Sequence, residues 1–111
     1  MSSIVGNMNI IICGAGEVGF SLAKYLASEN MRVTLIDESI ERLQKVSASI
    51  DVRTLVGKTY NPKILFEANA SETDLLISVT DKDESNILAC EVAKIIFKVP
   101  RTIARIKEKE F

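Results

Sequence analysis

The 111-residue chain has no histidine and no tryptophan, only two cysteines and two prolines, and no dominant charge. Each shortage removes a class of function. Without histidine, the commonest general acid–base group and metal ligand is missing, so catalysis starts from a poor inventory. Cys13 and Cys90 are too few for a disulfide scaffold. Both sit inside apolar patterns, which reads as a pair of small, buried, reduced hydrophobes. Fourteen Lys and Arg against fifteen Asp and Glu leave a net charge of −1 and a sequence pI near 5.5. That is no electrostatic footprint for nucleic acid. No apolar run approaches the roughly 18 residues of a membrane span. Residues 1–9 are polar without Lys or Arg, and the apolar run behind them is too short for a signal core. The expectation is a soluble, cytoplasmic domain with no direct membrane insertion. Because 47% of the residues are hydrophobic, one real core is within reach.

What is there begins at Asn9–Cys13, a nearly unbroken apolar run suited to a parallel strand buried on both faces. From Glu17 to about Asn30, Val18, Leu22, Tyr25 and Leu26 form one helical stripe, with Asn30 able to end it in the left-handed conformation. Arg32–Ile36 reads as a second strand, closed by Asp37. Ser39 can cap a second helix striped by Ile40, Leu43 and Val46. Val52–Val56 is a third strand. Asn61 as cap and Pro62 at the first helical position open a short helix carried by Leu65, Phe66 and Ala70. Leu75–Val79 is a fourth strand, followed by the acidic turn 80–84. A long helix over about Glu84–Phe97 presents Leu88, Val92, Ile95 and Ile96 on one side. Pro100 stops it, and Thr102–Ile106 is a fifth strand.

Strand–helix alternation of this kind specifies an α/β fold. It predicts a Rossmann-type, doubly wound parallel sheet with about five strands visible and helices on both faces. We expect one nucleotide-binding domain over residues 1–111, a piece of a longer chain. The ordinary form of the fold has a sixth strand, so an edge is left for a partner or further chain to cover.

Gly14-Ala15-Gly16-Glu17-Val18-Gly19 stands between the first strand and helix with the spacing of a dinucleotide-binding loop. Its three glycines would serve the tight turn, close pyrophosphate approach and close helix packing, in that order. The helix start would turn its free N–H groups toward phosphate. Asp37 ends the second strand 18 positions beyond Gly19, where a carboxylate can accept from a ribose hydroxyl pair. An Asx turn before a helix is the alternative, and the glycine loop upstream favours the ribose. An acid there also disfavours a 2′-phosphate. Thr80 and Asp81 end the fourth strand on the same edge of the sheet, where Asp81 or Asp83 could instead cap the long helix. The cluster Asp81, Asp83 and Glu84 is better explained as a solvated acidic helix start than as a metal site. Arg105 interrupts an apolar strand and needs a partner, either a ligand phosphate or a carboxylate of the fold. Lys58 is near the expected adenine or is a plain surface lysine.

The chain resembles the TrkA N-terminal family of nucleotide-binding half-domains, of the KTN/RCK type, found in regulators of bacterial Trk potassium uptake. The residues that carry the likeness are Gly14–Gly19, Val33–Asp37, Val79-Thr80 with Asp83-Glu84-Ser85-Asn86, and Ile103-Ala104-Arg105-Ile106. It covers about Asn9 to Phe111. The resemblance implies a protein that binds NAD(H) or adenine nucleotides (ATP, ADP or AMP) and controls a membrane potassium transporter subunit, without chemistry on the nucleotide. It implies Gly14, Ala15, Gly16, Glu17 and Val18 around the pyrophosphate, Asp37 on the adenosine ribose, Thr80 and Asp81 along the second half of the ligand, and Arg105 approaching phosphate. It also implies a homo-oligomer, a dimer or larger ring, at the inner face of the membrane. Two departures stand out: Lys58 where many relatives are acidic, and Glu17 where some ATP-preferring relatives carry an Arg. Glu17 would repel a triphosphate, which favours NAD(H). The rival readings are the coenzyme half of an NAD-dependent dehydrogenase and an interaction module with a vestigial loop.

Overall fold

In a computed structural model, described over residues 7–108, the chain alternates strand and helix as the sequence predicts. The elements are β1 (Asn9–Cys13), α1 (Glu17–Ser28), β2 (Arg32–Asp37), α2 (Ile40–Ser49), β3 (Arg53–Val56), α3 (Pro62–Glu67), β4 (Leu75–Ser78), α4 (Asp83–Ile95) and β5 (Arg101–Ala104). A 3₁₀ turn, Ala70–Glu72, lies between α3 and β4. All strand pairs are parallel, in the order β3-β2-β1-β4-β5. Chain order therefore reverses between β1 and β4, which is where an open parallel sheet leaves a crevice at its carboxyl edge.

Residues along β1 alternate between two cores. Ile10 and Ile12 face α1 and α2 together with Val33, Leu35, Ala23, Leu43 and Val46. Ile11 and Cys13 face α3 and α4 with Ile36, Leu65, Leu76, Ala89 and Ala93. Both faces of the central strand are dry, as the continuous apolar run requires.

Helix starts follow local chemistry. The Ser39 side chain accepts from the Arg42 N–H, and Asn61 accepts from the Lys63 N–H with Pro62 following. Asn30, at φ 67°, ends α1 in the left-handed conformation. The apolar stripes read on the helices hold in part: Leu43 and Val46 are buried, and Leu22, Leu26 and Val92 pack against the core, but other members do not. On α1 the buried residues are Gly19 and Ala23, and Val18 and Tyr25 face out. On α4 the buried residues are Asn86, Ala89 and Ala93, which leaves Leu88, Ile95 and Ile96 exposed. Small residues on the inner face let each helix lie close to the sheet, and the larger apolar side chains are displaced to its flanks. Ile40 and Phe66 are likewise exposed, and Ala70 belongs to the 3₁₀ turn rather than to α3. The fifth strand stops at Ala104, so Arg105 stands just past its end.

Candidate functional site

The turn between β1 and α1 is built by glycines with different reasons. Gly14 sits at φ +112°, and a Cβ there would lie 3.0 Å from the Val79 carbonyl and the Thr80 nitrogen. Gly19 lies against the turn itself, where a Cβ would come within 1.8 Å of the Gly14 carbonyl oxygen. Neither position accepts a side chain, because β1, β4 and α1 converge there. Gly16 differs. Its φ of −76° suits any residue, and the nearest atom to an added Cβ is Arg42 Nη1 at 3.8 Å. No protein atom requires glycine at 16. The space a side chain would fill opens onto the first turn of α1, whose leading N–H groups have no intrahelical acceptor.

Asp37 closes the other side of the loop. Its Oδ2 accepts from the Ala15 N–H at 2.7 Å, and its Oδ1 accepts from the Ser39 N–H at 2.8 Å. The carboxylate thus makes the Asx turn before α2 and also clasps the glycine loop. Each carboxylate oxygen has further lone-pair capacity, so two hydroxyls can still be accepted. With Glu38, Ser39, Arg42, Thr59, Thr80, Asp81, Lys82 and Ser85, Asp37 lines a cleft of about 310 Å³. A second cavity of about 590 Å³ lies on the α2 side of the loop, beside Ala15, Gly16, Glu17 and Lys45. A larger concavity of about 1010 Å³ lies at the opposite, amino edge of the sheet, away from these groups.

The far flank of the edge is organised by Asn86, a residue the sequence reading passed over except as part of a motif. It is fully buried on α4. Its Oδ1 accepts from the Thr80 N–H at 2.8 Å and from the Thr80 and Ser78 hydroxyls at 2.7 and 3.0 Å. Its Nδ2 donates to the carbonyls of Thr80 and Arg105 at 3.1 and 2.9 Å. Thr80 therefore lines the cleft with its polar groups turned inward. Arg105 answers the question of its partner in a third way: Nη2 donates to the carbonyls of Val79 and Thr80 at 3.1 and 3.0 Å. Asp81 stands farther off, 3.9 Å from that nitrogen, and the buried Arg105 Nε has no partner.

The acidic turn does not cap α4. Lys82 takes the cap position, without a side-chain bond. Asp83 instead accepts the N–H groups of Lys107 and Glu108 at 2.9 and 2.8 Å, which hold its carboxyl below the usual range. Among the described residues, no three acidic or thiol groups converge in a way that could hold a metal ion. Lys58 pairs with Glu38 across 3.4 Å at the exposed rim. Burial pushes both the Cys13 and Cys90 thiols up, in keeping with reduced, inert cysteines. No described helix is long and apolar enough to cross a membrane.

A glycine turn facing a strand-end carboxylate, at the switch point of a parallel sheet, defines a Rossmann-type domain. Solved structures share this fold. The Shewanella denitrificans Kef CTD in an AMP-bound form matches with a TM-score of 0.71 at 21% identity, over 86% of this chain and 56% of that one. An L-alanine dehydrogenase matches at 0.57 and 27% identity, over 67% of this chain and 22% of that one. The chain belongs to the TrkA-N domain family, whose model matches residues 10–111. A Trk system potassium uptake protein TrkA from Vibrio alginolyticus is 41% identical over 104 residues, covering 94% of this chain and 23% of that protein. A homolog of the same name from Pyrococcus abyssi is 36% identical over 101 residues, covering 91% of this chain and 44% of that protein. The chain thus spans less than half the length of these relatives.

Proposed function

We propose that this domain binds NAD(H), or failing that ATP, ADP or AMP, at the carboxyl edge of its sheet. We further propose that the protein it belongs to is a regulatory subunit of a membrane potassium uptake system, acting from the cytoplasmic face of the membrane. The observation that carries the binding reading is Gly16. It is the one glycine of the loop that the fold does not need, and the space it leaves adjoins free helix N–H groups, the feature a pyrophosphate requires. In this reading Gly14, Ala15, Gly16, Glu17 and Val18 surround the pyrophosphate and Asp37 takes the ribose hydroxyls. Thr80 and Asp81 border the second half of the ligand. Arg105, with its Nε free, approaches phosphate. Glu17 in the first turn of α1 disfavours a triphosphate, which ranks NAD(H) first.

The regulatory reading is supported by relatives named for Trk potassium uptake, and it involves no chemistry on the nucleotide. Nucleotide can control a partner only by favouring one arrangement of the assembly over another. The exposed Leu88 and Ile95 of α4, with Ile96 just past its end, offer the apolar face that a second subunit would cover. Calorimetric titration and thermal shift with NADH, NAD, ATP, ADP and AMP test the binding. Heat and stabilisation are expected with NADH, and silence from all five ligands sinks the proposal. Regulation is tested separately by potassium flux through a Trk-type transporter reconstituted with the full-length protein, where indifference to added nucleotide overturns it.

A further inference from the structure

Arg42 lies on α2 and joins the two halves of the carboxyl edge. Among the described residues, it alone lines both the cleft beside Asp37 and the cavity beside Gly16. Its guanidinium is half exposed and donates no hydrogen bond to any described residue. The single approach it makes is Nη1 to Asp37 Oδ2 at 3.9 Å, beyond hydrogen-bond length. The Asp37 oxygens are held in place by the Ala15 and Ser39 N–H groups, so the carboxylate does not turn to close that gap. The same Nη1 stands 3.8 Å from the point a Gly16 Cβ would occupy. A planar fork of donors, unsatisfied by the fold and facing the bare glycine, is the geometry that meets phosphate oxygens. Lys45 lines the cavity on the same face of α2 and adds a second positive charge. Glu17 is the acid opposite them.

We infer that Arg42 is a phosphate-binding residue, the cation that takes the 5′-linked phosphate of the nucleotide from the α2 side of the glycine loop. The inference rests on the carboxyl edge being the nucleotide site. It also gives that site a positive charge that the loop lacks: the backbone donors hold one side of the phosphate, and Arg42 crosses from Asp37 to close the other. Leaving Asp37 costs it little, because that contact is long and half exposed.

The test is calorimetry on the 111-residue chain with 5′-AMP and with adenosine, for the parent, Arg42→Gln and Arg42→Lys. Arg42→Gln is expected to lower AMP affinity about tenfold, as for loss of a charge-assisted bond at a half-exposed site, and to leave adenosine unchanged. Arg42→Lys should restore part of that loss, and the difference should narrow as salt rises. Unchanged AMP affinity in Arg42→Gln overturns the inference. So does an equal loss for AMP and adenosine, which would mean that Arg42 shapes Asp37 rather than holding phosphate. If the parent binds neither ligand, it is the nucleotide site itself that fails, and the inference falls with it.

Discussion

The two flanks of the carboxyl edge are made of the same kinds of group and put them to opposite use. On the β1–α1–β2 flank, Gly16 leaves space, the first N–H groups of α1 are unpaired, and Asp37 and Arg42 keep bonding capacity in reserve. On the β4–α4–β5 flank, the Asn86 side chain makes five hydrogen bonds and the Arg105 Nη2 closes on two carbonyls. One flank keeps space and bonding capacity that the fold does not use, and the other is closed on itself. A ligand at this edge would be recognised mainly on the first flank and rest against a rigid second one.

The sharpest way to break the contrast is at the point where the first flank is rigid. Gly19→Ala puts a Cβ 1.8 Å from the Gly14 oxygen, so the loop or α1 must move. A destabilisation of about 3 kcal/mol is expected from overpacking, measured by urea unfolding, together with loss of nucleotide binding. A variant as stable as the parent would show that α1 can slide away from β1, and that the close packing is not obligatory.

Next in size is the hub of the closed flank. Asn86→Ala strands the Ser78 hydroxyl, the Thr80 N–H and the Arg105 carbonyl in the interior. The loss should be about 2–3 kcal/mol, since buried groups deprived of partners keep their desolvation cost. Less than about 0.5 kcal/mol would mean that water replaces the amide and that this flank is not rigid.

How far each flank could be read from sequence follows from the same difference. The open flank was legible, because glycine spacing and a strand-end acid are signals written in adjacent residues. The alternation of elements was legible too, since apolar runs and caps such as Ser39 and Asn61 are local. Helix faces were misread wherever Gly19, Ala23, Ala89 or Ala93 does the packing, because hydrophobic size misleads when close approach decides which side is buried. Asn86 and Arg42 were missed for another reason. Asn86 takes its meaning from partners 8 and 19 positions away, and Arg42 from a glycine on another element. A polar residue in register with Ala89 and Ala93 was the available signal for Asn86.

Gly16→Ala separates the two kinds of glycine. Its Cβ makes only an ordinary contact, 3.8 Å from Arg42 Nη1, and its φ is ordinary, so stability should change by no more than about 1 kcal/mol, the usual difference between Gly and Ala as an N-cap. Affinity for NADH should nonetheless fall at least about tenfold, because the methyl occupies the approach of the pyrophosphate. Stability loss on the scale of Gly19→Ala would put Gly16 among the structural glycines. Intact affinity would remove it from the site.

The smallest effect belongs to Asp83, which ties the segment after β5 to the start of α4. Its carboxylate is stabilised by the Lys107 and Glu108 N–H groups, and its pKa lies below the usual 3.8. A depressed folded-state pKa contributes stability that is present above the unfolded value and is lost as pH falls through the lower, folded one. Thermal unfolding of the parent should therefore weaken across the acidic range, and Asp83→Asn should show a shallower slope there and a slightly lower midpoint at neutral pH. Because the group is exposed, solvent screens it and the change in midpoint stays small. Amide exchange gives the local reading: Lys107 and Glu108 should exchange faster in Asp83→Asn, with the core amides of β1 unaltered. Identical exchange at both positions would mean that the tail is held by the Lys107–Asp81 pair instead.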